Sequence, residues 1–300
     1  MQQRSASTLD LNVRDILSRA LGKKSFSIFD LHTHITSPDV REQKARPNYK
    51  DKIESRGLNA IVQTEHNFPP HTFNSSVFIP GIEIGTVHGH VNLLGIDREY
   101  REFIKTFYPL EDEEMVTMKK KVIGLDQVLH DLDQWYSSPR EMPSIVFPHP
   151  FQKGGVFYNK EPSEVIQALK KKGVPNVEDR VYLLEWTNGY RGPSEENAQR
   201  VIETVKKAEY DFVLVAGSDS HKSQDVGMAG IIVFPGSSLS FQTVKQVVLR
   251  KKHLVYHISL DPKNPDYLTL TIIDPVGKER TDYIIHHDKS MVRFAQVVKN

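Results

Sequence analysis

Residues 29–39 read FDLHTHITSPD. His32 and His34 stand one residue apart after a short apolar run, and Asp39 follows five residues later. In an extended chain, positions i and i+2 face the same side, so both imidazoles can meet one ion. The stretch DFVLVAGSDSH repeats the arrangement, with Asp219 and His221 at the same spacing after a second apolar run. Other β-branched runs carry further candidates: Glu65 and His66 in LNAIVQTEHN, Glu83 in SVFIPGIEIG, His90 in HVNLLGI and His149 in PSIVFPHP. VYLLEWTNG adds Glu185 and Asn188. Each signal is weak alone, because a single buried histidine or acid is more often a hydrogen-bonded structural residue. Together they are stronger: a core that gathers imidazoles and carboxylates without an ion bears several kcal/mol of desolvation.

Composition narrows the chemistry. The chain has 13 histidines and no cysteine, which removes disulfides, thiolate nucleophiles and zinc–thiolate sites together. Any metal must be held by imidazole and carboxylate, a donor set that suits Mn, Fe or Zn without choosing among them. There is no G-x-S-x-G elbow either. The 300 residues carry a net charge of +1 and are 38% hydrophobic, as in an ordinary globular protein with a sizeable core. That balance gives no hint of a polyanion-binding surface, although the basic runs at 119–121, 170–172 and 250–252 stand as local exceptions or solvated helix faces. No apolar run approaches the roughly 18 residues that span a bilayer. The first 24 residues lack the apolar stretch of a signal peptide, and the expected location is the cytoplasm.

The elements that must position these residues follow from the hydrophobic periods. Seven candidate strands end or begin in the polar clusters above. Between several of them lie helical patterns: LDQVLHDLDQWY, EPSEVIQALKKKG, ENAQRVIETVKKAEY and FQTVKQVVLRKKH. Apolar strands alternating with amphipathic helices imply an α/β fold with a largely parallel, helix-covered sheet. Polar clusters at strand ends imply a barrel-like arrangement with one functional rim. Residues 1–23 read as a docking helix, with Leu11, Val13, Ile16, Leu17 and Leu21 on its apolar side. Residues 24–255 form the barrel, and 256–300, broken by Pro and Gly, a small antiparallel β appendage. His257, His286 and His287 in that appendage are read as surface or packing residues. Residues 98–121 are charged and poorly patterned, either a helix over the rim or a mobile insertion.

The blocks DLHTHITSPD, IVQTEHN, PGIEIG, GHVNLLGI, FPHP, LEWTNG and GSDSH, in that order, resemble the polymerase-and-histidinol-phosphatase (PHP) superfamily of metal-dependent phosphoesterases. The resemblance runs from about residue 26 to 235. It implies a distorted seven-stranded β/α barrel holding two or three divalent ions. The ligands it implies are His32, His34, Asp39, His66, Glu83, His90, His149, Asp219 and His221, with Glu83 bridging two ions. Of these, His32, Glu83, His149, Asp219 and His221 would carry the chemistry. Glu65, Glu185, Asn188, Ser218 and Ser220 would hold ligand imidazoles by their free N–H or line the pocket. His71, Lys153, Tyr190, Arg191 and Lys222 flank the same strand ends and are candidates to grip a substrate phosphate, Arg191 foremost as a bidentate donor. The sequence departs from the family pattern in three places. Thr64-Glu65-His66 stands where an aspartate usually precedes the histidine, so Glu65 either orients or crowds His66. Pro38 and Val40 replace small residues around Asp39. His88 lies close enough to compete with His90, which directly precedes the apolar run.

The expected activity is hydrolysis of a phosphate mono- or diester by attack of a metal-bridging hydroxide. The substrate would be a small phosphorylated metabolite, a nucleotide or a short nucleic acid end. Two rivals stand beside it. A non-catalytic metal-binding module with a scaffolding or regulatory role predicts metal uptake without turnover. A metal-dependent amidohydrolase would want a liganding lysine at a strand end, and these strands offer none.

Overall fold

All seven residues of β1 (Ser27–Thr33) are buried, as in a strand covered on both faces. Its alternating residues feed two cores: Phe29 and Leu31 join one large cluster, while Ile28 joins another. The computed structural model describes residues 11–35, 46–66, 76–107, 123–138, 141–188, 194–234, 240–260, 267–288 and 291–299. The strands after β1 are β2 (Ala60–Gln63), β3 (Phe78–Thr86), β4 (Gly89–Leu94), β5 (Ser144–Phe147), β6 (Tyr182–Asn188) and β7 (Phe212–Gly217). Then come β8 (Ala229–Val233), β9 (His253–Leu260), β10 (Tyr267–Ile273), β11 (Arg280–Asp288) and β12 (Met291–Lys299). The helices are α1 (Val13–Leu21), α2 (Arg46–Arg56), α3 (Arg98–Phe107), α4 (Leu125–Trp135), α5 (Pro162–Lys171), α6 (Glu195–Lys207) and α7 (Phe241–Leu249).

The result is a mixed α/β protein built on one twelve-stranded sheet, in the order β12-β11-β10-β9-β8-β1-β2-β3-β4-β5-β6-β7. The seven expected strands are β1 to β7. They are less parallel than their alternation with helices suggests. The pairs β1–β2, β2–β3, β5–β6 and β6–β7 are parallel, but β3–β4 and β4–β5 are antiparallel. The reason lies at Thr86 and Gly89, which pair across a two-residue turn. So tight a connection can join only antiparallel neighbours. The start of β4 therefore lies beside the end of β3, which brings His90 to the same edge as the strand-terminal residues. The chain leaving β7 comes back to β1, where Thr33 and Ser220 form a parallel bridge and His34 N donates to Ser220 O at 2.9 Å.

β8 was not evident from the sequence, since AGIIV is short and ends in no polar cluster. Nor was α2, whose sequence RPNYKDKIESR buries only Tyr49, Ile53 and Arg56 among its described side chains. α1 begins where Asn12 accepts from Asp15 N and stops at Gly22, at φ 62°. Its Val13, Ile16 and Leu17 are buried against β1, β9 and β10 through Ile28, Tyr256, Leu268 and Leu270. Residues 1–10 lie outside the described residues, and so do 108–121, beyond α3.

The C-terminal strands continue the main sheet through the antiparallel β8–β9 pair, and the boundary expected at 255/256 falls inside β9. Their turn also reaches back to β7: Leu214 N donates to Pro275 O at 2.9 Å, and His253 Nε2 lies 2.9 Å from Leu214 O. His257 is buried, with its ring 6.4 Å from that of Trp186, whereas His286 packs on Tyr267 at 5.0 Å; the His287 side chain lies outside the described residues. No helix among the described residues is long and apolar enough to cross a membrane.

Candidate metal centre

Glu83 is the hub. It sits on β3 and is 1% exposed. Its Oε2 lies 2.7 Å from His32 Nε2 and 3.5 Å from His34 Nε2. Its Oε1 faces His66 Nδ1 at 3.6 Å, His149 Nε2 at 3.8 Å and, in direct contact, His90 Nδ1. A second carboxylate stands across the group: Asp219 Oδ1 is 3.1 Å from His34 Nε2, 3.5 Å from His32 Nε2 and 3.7 Å from His221 Nδ1. His34 stacks between His66 and His221, with ring centroids 4.2 and 4.4 Å away. Eight of the nine expected ligands therefore meet at one place; Asp39 lies outside the described residues.

The cage has a floor and a mouth. Side chains of His32, His34 and Glu83 are 2%, 0% and 1% exposed, whereas those of His66, His90 and His221 are 24%, 35% and 21% exposed. Three overlapping sets bring ligand atoms within 4.8 Å of one another: His32–His34–Asp219, His34–His66–His221 and His66–Glu83–His90.

A divalent cation fits this donor set. Atoms bound about 2.1 Å from one ion are about 3.0–3.4 Å apart in octahedral or tetrahedral shells. His32 Nε2 and His34 Nε2 are 3.1 Å apart, and His34 Nε2 and Asp219 Oδ1 also 3.1 Å. Tautomers agree. His32 Nδ1–H donates to Glu185 Oε1 at 2.9 Å, which turns the Nε2 lone pair inward. His221 Nδ1–H donates to the Asp219 carbonyl oxygen at 3.0 Å, with the same consequence. His34 Nδ1 and His149 Nδ1 are buried without a hydrogen-bond partner. The buried His, Asp and Glu side chains can thus hold a metal ion.

The electrostatics point the same way. Burial opposes charge on His32, yet Glu185, Asp219 and Glu83 raise its pKa well above the ordinary value. Burial likewise opposes charge on His34, and hydrogen bonds to Asp219 and Glu83 lift it to about 9. Burial would raise Glu83, but His66, His32 and His90 hold it well below the usual carboxylate range. Asp219 is lowered too, by His32 and His34 against its own burial. The pocket calls for positive charge, supplied either by protons or by a cation.

Backbone strain gathers at the cage. His149 and Asp219 adopt φ of 34° and 47°, a conformation side-chain-bearing residues hold only where surroundings enforce it. Glu185 enforces part of it, since its Oε2 accepts from His149 N at 2.9 Å while its Oε1 takes His32. Glu65 Oε1 accepts from Ile35 N at 2.7 Å, bracing the chain just past His34. Ser218 N donates to Asp30 Oδ1 at 2.8 Å, and the Ser220 carbonyl takes His34 N. Asn188 pairs with Gly217 through its backbone; its side chain lies outside the described residues.

The substrate-gripping candidates fare differently. Lys153 and Lys222 are exposed, the latter beside His221; His71, Tyr190 and Arg191 lie outside the described residues. Lys153 precedes Gly154, where a Cβ would lie 3.7 Å from His90 and 3.9 Å from His149. His88 stays on the β3–β4 turn, and its charged neighbours are Lys160, Lys172 and Asp126, whereas His90 touches Glu83.

Two residues were missed by the sequence reading. Asp30 is fully buried and accepts from His32 N, Ser218 N and Gly227 N; burial pushes its pKa up to about 6 against those donors. Asn92 pairs with Glu83 across β3–β4, and both its amide atoms are buried without a partner. Both stand two residues from an expected histidine, hence on the same strand face, which is the signal that would have found them. Comparison with protein-family models, with curated proteins and with solved structures finds no match to this chain.

Proposed function

We propose that this protein is a metal-dependent phosphoesterase of the PHP type. One observation carries the reading: the buried Glu83 carboxylate is ringed by five histidines from β1, β4 and the ends of β2 and β5. The return of the chain after β7 to β1 supports taking the first seven strands as a distorted barrel around the cage. Three overlapping ligand sets support two or three ions, with His34 and His66 each serving two sets. Glu83 would be the carboxylate shared between ions, a reading supported by its two oxygens facing different imidazoles.

Divalent ions held there would supply Lewis-acid charge and lower the pKa of water at neutral pH. The chain's own residues do the rest. Glu185 fixes His32 and the His149 backbone in one orientation. The buried floor of His32, His34 and Glu83 excludes bulk water. Lys153 and Lys222, exposed and adjacent in sequence to cage-flanking residues, would help neutralise phosphoryl oxygens. His66, His90 and His221 line the mouth that a substrate meets first, and the leaving alkoxide would take its proton from water or from an imidazole there that is not holding an ion. The substrate is a small phosphorylated metabolite, a nucleotide or a short oligonucleotide end.

The test is a panel with Mn²⁺-loaded protein: p-nitrophenyl phosphate, its bis-ester, nucleoside bisphosphates and short oligonucleotides. Hydrolysis that vanishes in His34→Ala and Asp219→Ala is expected. Silence across the panel at full metal occupancy would favour a non-catalytic module. Activity surviving both substitutions would remove this site from the reaction.

A further inference from the structure

Asp219 and His221 enter the cage from a segment with little regular structure of its own, running from the end of β7 through a 3₁₀ turn at Ser223–Asp225 to Gly227. Three side chains from distant elements fasten it. Arg56, at the end of α2 and 2% exposed, donates from Nη2 to Gln224 O at 2.6 Å and from Nη1 to Val226 O. Tyr256 of β9 donates its hydroxyl to Gly227 O at 3.0 Å. Asp30 of β1 accepts Gly227 N at 2.7 Å with one oxygen and Ser218 N at 2.8 Å with the other. Gly227 itself has φ 76°, and a Cβ there would lie 2.7 Å from Leu58. Both ends of the segment are thus tied to β1, the strand that carries His32 and His34.

Burying a guanidinium, a carboxylate and a phenol around one short turn is a costly way to hold a loop that apolar packing could cover. The arrangement does fix where a backbone stands to within a hydrogen bond, which the left-handed conformation of Asp219 requires. We propose that Arg56, Tyr256 and Asp30 are positioning residues for the Asp219–His221 half of the cage. They set the ion affinity of the two ligand sets that draw on this segment, His32–His34–Asp219 and His34–His66–His221, and leave the His66–Glu83–His90 set in place. This rests on the metal-centre reading above.

The experiment combines Mn²⁺ titration calorimetry with hydrogen exchange of the 218–227 amides before metal is added. Tyr256→Phe removes one hydroxyl; Arg56→Met removes the fork; Arg56→Lys returns a donor. Tyr256→Phe and Arg56→Met are expected to speed exchange of the segment about tenfold at unchanged exchange in β1. They should weaken the Mn²⁺ binding that draws on Asp219 or His221 about 10- to 100-fold and move the step at His66–Glu83–His90 less than about twofold. Arg56→Lys should recover part of both effects. Equal weakening of every step, or no change in exchange, would overturn the proposal. A wild type that binds Mn²⁺ with every step unmoved in the variants overturns the proposal alone. A wild type that takes up no Mn²⁺ overturns the metal-centre reading with it.

Discussion

His253 offers a pH-dependent stability that can be worked through in numbers. Its ring is buried, Nε2–H donates to Leu214 O at 2.9 Å, and Nδ1 is buried without a partner. A proton at Nδ1 would add an unpaired donor and a charge in the interior. Burial accordingly lowers the pKa to about 4, with the Leu214 contact a smaller opposing influence. In the unfolded chain the value is about 6.5. The unfolded state binds the proton more readily throughout that window, so stability rises with pH. The contribution is complete above pH of about 6.5 and is lost progressively as pH falls towards about 4. At pH 5 the linkage gives a loss of about 2 kcal/mol relative to pH 8. His257, also buried and lowered to about 4, adds a similar amount. The substitution His253→Gln keeps an N–H donor for Leu214 O and removes the titration. Urea unfolding of both proteins between pH 5 and 8 then isolates the effect, since the cage titrates alike in each. Near pH 8 the two should agree within about 1 kcal/mol. By pH 5 the wild type should have lost about 2 kcal/mol more than the variant. Parallel profiles would refute the reasoning, because they would mean that His253 binds its proton equally in the folded and unfolded states.

Other outcomes follow from the cage and its supports. Glu185→Gln keeps the shape but loses the charge that accepts from His32 Nδ1–H and His149 N, and Mn²⁺ affinity by calorimetry should fall about 10- to 100-fold. Glu83→Gln should leave little or no bound metal by elemental analysis after dialysis, because one neutral amide cannot serve five surrounding imidazoles and two ions. Gly155→Ala puts a Cβ 2.3 Å from His149 O and 2.5 Å from Pro150 O; denaturant unfolding should show a loss of about 1–3 kcal/mol. Chelation of the loaded protein should abolish any phosphoesterase activity and lower the melting temperature, and both should return on adding Mn²⁺.

Much of the site could be read before the fold was known, because metal ligands announce themselves by residue type where strands give out. His32 and His34, and Asp219 and His221, follow buried runs at an i, i+2 spacing that lets both side chains of a pair face one ion. The spatial order of those runs was less legible. Alternation with helices suggested a largely parallel sheet, whereas a two-residue turn makes β3 and β4 antiparallel. The supporting residues were the least legible. Asp30 looks like one more residue in a strand until Ser218 and Gly227, nearly two hundred positions later, are seen to donate to it. Arg56 lies on a helix whose apolar stripe is too sparse to mark, and its acceptors are backbone carbonyls that no side-chain pattern encodes. Likewise β9 reads as the start of a separate piece because Pro262 and Pro265 follow it, although it pairs with β8 along its first five residues.

The contact between the C-terminal strands and β7 bears on how the molecule tolerates shortening. Leu214 offers one N–H and one C=O sideways, and Pro275 and His253 occupy both. A chain ending before β9 would leave those groups open as a template on which a neighbouring copy could lay a strand. Such a truncation would keep every cage residue described here and still be expected to self-associate, so the last fifty residues guard solubility as well as shape.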